Sequence, residues 1–159
     1  WQEYLESEDK SCIFCTIPRK SSSEDRKNLL LLRGKVSFIL LNKYPYNSGH
    51  LMVSPYRHIT ELSSMDRDEI LEVADLLKLS CQLLKDEFSP DGFNIGANIG
   101  HASGAGYEHL HFHVVPRWNG DTNFMPIVAD TKVLPEHLEV TYERLSRALN
   151  ATLKKESSP

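Results

Sequence analysis

Three histidines alternate with apolar residues in the run His109-Leu110-His111-Phe112-His113-Val114-Val115-Pro116. In an extended strand successive side chains point to opposite faces. The three imidazoles therefore share one face, about 6.5–7 Å apart, and Leu110, Phe112 and Val114 share the other. The apolar face belongs in a core, so the histidine face looks onto a cleft, a metal or solvent. Exposed strand positions rarely repeat histidine three times, which leaves metal binding or imidazole chemistry. Imidazole titrates near neutrality: its neutral form can attack phosphorus and its charged form can donate a proton. The loop before this run carries Gly100, Gly104 and Gly106, with Ala102, Ser103 and Ala105 between them. Glycine lets backbone N–H groups approach an anion closely, and beside aligned imidazoles such a loop points to a phosphate site.

Cys12-Ile13-Phe14-Cys15 supplies a second chemical motif. Two cysteines at this spacing are half of a zinc site, and with no second pair in the chain histidines must complete it. His58 is the nearest downstream candidate. A redox pair is a competing reading, although no strand–helix–strand pattern precedes it. Two unrelated small hydrophobes are a third. Cys81 lies on a helical apolar stripe and reads as a core residue.

These groups must be positioned by elements that the pattern also marks. Leu29–Leu32 and Val36–Leu41 flank Arg33-Gly34-Lys35, which predicts a β-hairpin, its second strand buried on both faces. Leu51–Ser54 is a further strand, ended by Pro55. Asp66, with Glu69 three residues on, predicts a capping box. The helix it opens carries Ile70, Val73, Ala74, Leu77, Cys81, Leu84 and Phe88 at helical spacing. Pro90-Asp91-Gly92 ends that helix, Phe93–Ala97 is a short strand, and His109–Pro116 is the next. Over 135–155, Leu138, Tyr142, Leu145, Leu149 and Leu153 mark an amphipathic helix. Strands without regular intervening helices indicate an α+β domain on an antiparallel sheet. The expected layout is a flexible N-terminus over 1–10, one domain over 11–155 and a flexible tail over 156–159.

The chain has 159 residues, 40% of them hydrophobic and 25% charged, with a formal net charge of −4. Such a composition suits one globular domain and excludes a disordered or fibrous chain. The negative charge argues against a broad nucleic-acid face. No apolar run approaches the ~20 residues of a bilayer span. The odd count of 3 cysteines and the lack of a secretion pattern lead to the expectation of a cytoplasmic protein.

His-x-His-x-His followed by apolar residues resembles the signature of the histidine triad superfamily. The likeness extends to Asn42 through His50, Pro55-Tyr56-Arg57-His58, Asn98 and Val114-Val115-Pro116-Arg117-Trp118, and covers nearly everything from Cys12 to the final helix. It implies a five-stranded antiparallel sheet with two main helices, and a homodimer that joins two sheets into one of ten strands. The resemblance makes His111 the nucleophile: Nε2 attacks an α-phosphorus and forms a nucleotidyl-imidazole, so Nδ1–H must be held, by a backbone carbonyl. It implies that His113 bonds the phosphate or leaving group, that His50 touches the same phosphate from across the cleft, and that Asn98 orients phosphate oxygens or His111. Backbone N–H groups near Ser103, Gly104, Ala105 and Gly106 would offset phosphate charge.

Asn42 stands where the family hydrogen-bonds a ribose; a turn-forming Asn is the alternative. Phe14 and Ile39 could sandwich the base, although both are good core residues. Bacterial members imply that Cys12, Cys15, His58 and His109 form a closed structural Zn2+ site, with no cofactor needed for the chemistry itself. His101 lies within reach of phosphate, and His137 reads as an exposed helix residue.

Arg117 to Phe124, with Tyr44-Pro45-Tyr46-Asn47 and Pro55-Tyr56-Arg57, resembles most the bacterial diadenosine tetraphosphate phosphorylases (ATP adenylyltransferases). There Trp118 could stack on adenine or seal a dimer or core. The implied reaction is cleavage of diadenosine polyphosphates at the α-phosphate, with inorganic phosphate as acceptor, releasing ADP and ATP. A hydrolase of dinucleoside polyphosphates or adenosine phosphoramidates is the alternative, and a nucleotide-binding sensor without turnover is a third. The expected partners are an adenine nucleotide, phosphate and a second copy of the chain, with neither nucleic acid nor membrane.

Overall fold

A computed structural model describes residues 12–121 and 137–156. The expected flexible N-terminus over 1–10 lies outside these residues, as do 157–159 of the tail expected over 156–159, Thr122–Phe124 and Pro135. Five strands form one antiparallel sheet: β1 (Leu30–Arg33), β2 (Ser37–Leu41), β3 (Leu51–Pro55), β4 (Gly92–Gly96) and β5 (Phe112–Arg117). Their spatial order is β1-β2-β3-β5-β4. Helices α2 (Arg67–Phe88) and α3 (Leu138–Glu156) are the two long ones, and α1 (Ile13–Thr16) is a single turn. Among the described residues no helix is long and apolar enough to cross a membrane.

The hairpin forms around Gly34 as its turn residues predict, with an irregularity between Leu30 and Leu32. A Cβ at Gly34 would lie 2.7 Å from the Ser37 carbonyl oxygen, so only glycine fits there. Glu72 of α2 clamps the turn, its carboxylate accepting hydrogen bonds from Lys35 N (2.7 Å), Val36 N (2.7 Å) and Ser37 Oγ (2.6 Å).

Strand β2 is buried along its whole length because the sheet is covered on both faces. Ile39 and Leu41 join Leu51, Val53 and Val114 in a core sealed by α2 and α3, through Val73, Leu76, Leu83, Leu84, Tyr142, Leu145 and Leu149. Phe38 and Leu40, facing the other way, join Leu30, Met52 and Phe14 in a second cluster. Period-2 alternation thus divides the sheet between a helix-covered face and a face covered by the N-terminal segment.

The capping box forms as predicted: Asp66 Oδ1 accepts from Glu69 N, and Glu69 Oε2 from Asp66 N. The buried face of α2, however, is rotated from the expected one. Glu69, Val73, Leu76, Ser80, Leu83 and Leu84 are buried, whereas Ile70 is 53% exposed and Ala74 is also exposed. Leu77, Cys81 and Phe88 pack at the margin of the core. Two polar residues can occupy that face because each is satisfied locally. Glu69 binds Arg57, and the Ser80 hydroxyl donates to the Leu76 carbonyl at 2.7 Å. Hydrophobic periodicity passes over both. In α3, Tyr142, Leu145 and Leu149 are buried as expected, while Leu153 is 44% exposed. Glu156 is the final residue of that helix.

Strand β5 begins at Phe112, later than the expected His109. Its neighbour β3 ends in Pro55, which has no N–H to continue the ladder. Side chains take over: Ser54 Oγ donates to the Leu110 carbonyl at 2.9 Å, and His109 Nε2 to the Pro55 carbonyl at 2.9 Å. Strand β4 runs over 92–96, one residue earlier than expected at each end, and lies at the sheet edge with its last three residues exposed.

Candidate active site

The face of β5 opposite the helices carries His113, and the segment leading into that strand brings His111 beside it. His111 is 6% exposed, and its Nδ1–H donates to the His109 carbonyl at 2.7 Å. That bond settles the tautomer: the proton sits on Nδ1 and Nε2 keeps its lone pair. Burial pushes the imidazole below its ordinary range, and the carbonyl bond opposes this only in part. The ring stacks on Phe14, with centroids 4.4 Å apart and planes 21° from parallel. Among the described residues nothing hydrogen-bonds Nε2, and His111 lines a cavity.

A second chain of backbone-directed protons ends at His113. The Tyr46 N–H donates to His50 Nδ1 at 3.0 Å. Asn42 Nδ2 faces the same atom at 3.4 Å, while Asn42 Oδ1 accepts from Tyr44 N at 2.9 Å. His50 therefore carries its proton on Nε2, which lies 2.8 Å from His113 Nδ1 and donates to it. His113 is left with its own proton on Nε2. Burial first, and then the neighbouring His111, push its imidazole down to about 4. His50 is 1% exposed and does not line the cavity. It stands behind His113 rather than across the cleft.

His109 faces the other way. Its Nε2–H donates to Pro55 O, so the lone pair is on Nδ1, which lies 3.4 Å from both Cys12 Sγ and Cys15 Sγ. His58 Nδ1 lies 3.3 Å from Cys15 Sγ. The four ligand atoms all lie within 4.8 Å of one another. Thiolate and imidazole ligands at about 2.3 and 2.05 Å from a tetrahedral ion would sit about 3.6 Å apart. The donor set therefore fits a metal of that type, and the bond from Nε2 to a carbonyl is the outer contact that orients a metal-binding imidazole. The loop carrying His58 is anchored to α2, since Arg57 binds Glu69 through two contacts of 2.7 and 2.8 Å. Arg57 in turn holds the Glu69 carboxyl below its usual range.

The cavity has a volume of about 1770 Å³, above the roughly 300–1,000 Å³ of common small-ligand sites. Asn42, Asn98, Gly104, Gly106, His111 and His113 line it. Ser103 and Ala105 do not; the Ser103 hydroxyl donates to the Gly100 carbonyl at 2.7 Å. Gly104, with φ of +82°, closes the turn His101–Ser103, a conformation that favours glycine. Trp118 does not line the cavity and sits half-buried in the turn closed by Asp121. Phe14 lines the cavity, whereas Ile39 is in the helix-side core. His137 lines it too, and His101 pairs with Glu108 at 3.1 Å. Sequence reasoning missed the Phe14–His111 stack, the Tyr46 N–H and a basic wall formed by Lys20, Arg26, Lys27 and Lys43. The first two depend on backbone path. The basic wall has a compositional signal in Lys20, Arg26 and Lys27, but they lie in a polar run of serines and acids whose composition suits a solvated loop.

The HIT domain family model matches residues 23–120, and the chain belongs to the HIT family. Within it, the chain is similar to the AP-4-A phosphorylase of Mycobacterium tuberculosis, with 42% identity over 134 residues, which are 84% of this chain and 67% of that protein. Among solved structures it resembles a histidine triad nucleotide-binding protein from Sulfolobus tokodaii (TM-score 0.70, 26% identity, 91% of this chain and 95% of that one). It also resembles a zinc-bound histidine triad family protein from Mycobacterium smegmatis (TM-score 0.70, 25% identity, 92% and 98%).

Proposed function

We propose that this chain is a nucleotide-processing enzyme that cleaves diadenosine polyphosphates at the α-phosphate and transfers the adenylyl group to inorganic phosphate. The observation that carries this reading is the bond from His111 Nδ1–H to the His109 carbonyl, which leaves an unpartnered Nε2 lone pair at the cavity. That nitrogen attacks the α-phosphorus of diadenosine tetraphosphate. The P–O bond to the remaining chain breaks and ATP departs, with His113 Nε2–H hydrogen-bonding the leaving oxygen. Phosphate then attacks the adenylyl-His111 phosphorus, restores the imidazole lone pair and leaves as ADP. Asn98 and the backbone of Gly104 and Gly106 border the reacting phosphate. The basic wall suits a long polyanionic substrate in a chain whose net charge is −4.

Cys12, Cys15, His58 and His109 would hold Zn2+, which supplies a structural cross-link and takes no part in the reaction. The unpaired side of β4, with Ile95 and Ile99 exposed beside it, supports a homodimer in which two such edges pair. The test of the reaction is incubation with diadenosine tetraphosphate with and without phosphate. ADP plus ATP formed only with phosphate supports the proposal. ATP plus AMP formed regardless of phosphate identifies a hydrolase, and nucleotide binding without products identifies a sensor.

A further inference from the structure

The residues that would hold the metal and those that would do the chemistry meet at two places. His109 offers Nδ1 to the cluster and its carbonyl oxygen to His111 Nδ1–H. Phe14, between the two cysteines in sequence, lays its ring on the His111 imidazole. One hydrogen bond fixes a tautomer but leaves the ring free to swing about it. The Phe14 face, together with the edge of His113 at 4.9 Å, removes that freedom. Phe14 is itself 1% exposed, wedged against Leu30, Phe38, Leu40 and Met52, with Tyr107 edge-on at 5.9 Å.

The segment bearing Phe14 has little stability of its own. Helix α1 is four residues long, and no side chain caps it at Cys12. A helix of one turn does not persist without tertiary ties. Here those ties are Phe14 itself, Ile13 and Ile17 packed at the edge of the same cluster, the Arg33 bond to the Pro18 carbonyl that follows, and the flanking thiols held against His109 and His58. We infer that Phe14 is a positioning residue for His111, and that closing the Cys12/Cys15/His58/His109 cluster is what presses its ring onto the nucleophile. Loading the metal and ordering the reactive imidazole are then one event. The inference rests on the reading of His111 as the nucleophile.

The test compares wild type, Phe14→Leu and Phe14→Tyr, each loaded with one Zn2+ per chain, with wild type also measured after chelation. Ring-proton resonances of His111 in histidine-labelled protein, assigned with His111→Asn, report the stack independently of turnover. Far-UV circular dichroism and metal content report the fold. In Phe14→Leu, which keeps all four ligands, the His111 ring signals lose the shift imposed by an aromatic face. Its kcat falls by roughly 10- to 100-fold, by a larger factor than KM rises. Phe14→Tyr recovers most of both. Chelation of wild type moves the same signals in the same direction, and should it also unfold the chain, Phe14→Leu alone decides. Loaded Phe14→Leu with wild-type kcat and unmoved His111 signals overturns the inference, as does a chelated, folded wild type with unmoved signals. Full activity in His111→Asn would instead refute the nucleophile assignment, which the ring signals of Phe14→Leu do not address.

Discussion

The relay from Tyr46 through His50 to His113 predicts a leaving-group effect. His50→Leu keeps an apolar group of similar size in a site that is 1% exposed but removes the acceptor of the Tyr46 N–H and the donor to His113 Nδ1. The Tyr46 N–H loses its acceptor, because Asn42 Nδ2 beside it is also a donor. His113 Nδ1 loses its donor at 2.8 Å, so its proton is no longer confined to Nε2. A net hydrogen bond contributes about 1–1.5 kcal/mol. If all of this goes into holding Nε2–H toward the leaving oxygen in the transition state, a step that needs that proton slows roughly 10-fold. A leaving group that departs as a stable anion needs that proton little. The assay measures kcat for His50→Leu on adenylate substrates differing only in leaving group, such as an adenosine phosphoramidate against an adenylate p-nitrophenyl ester. The expected loss is about 10-fold on the amine and no more than about 3-fold on the phenol, with His50→Gln intermediate because its amide can still donate. Equal losses on both substrates would refute the relay.

Glu72→Ala removes the acceptor of three hydrogen bonds that close the β1–β2 turn and should lower urea-unfolding stability by about 2–3 kcal/mol without changing KM. The His113 imidazole is held near 4 against an ordinary 6.5, so the fold favours its neutral form. That contribution, about 3 kcal/mol, is complete above pH 6.5 and is lost as pH falls from 6.5 toward 4; His113→Asn should flatten this limb of the stability–pH curve. Arg57→Ala frees the loop that carries His58 and should weaken metal affinity about 10-fold in a chelator competition, leaving the affinity of His58→Ala unchanged when the two are combined.

What the sequence makes legible is local. Asp66 and Glu69 are three residues apart and cap the same turn, Gly34 sits inside its hairpin, and the alternation Phe112-His113-Val114 assigns the two faces at the start of β5. The alternating His109, His111 and His113 stand out by type and spacing, whereas His50 and the pairing of His58 with His109 rest on the family resemblance. Contacts between distant segments leave no periodic trace: Glu72 lies 37 residues from Lys35, and His50 is 63 residues from His113. The misplaced face of α2 has the same origin, since Glu69 is buried only because Arg57 reaches it from the preceding loop. The family resemblance implies that His50 touches the phosphate from across the cleft; that it backs His113 depends on a turn whose Tyr46 N–H points inward.

The most direct test is a rapid-quench single turnover with diadenosine tetraphosphate labelled at the α-phosphate, followed by peptide mapping of the acid-labile adduct. An adenylyl group on His111, appearing with the first ATP and discharged as ADP when phosphate is added, is the expected result. Turnover with no adduct, an adduct on another residue, or undiminished activity in His111→Ala would contradict it.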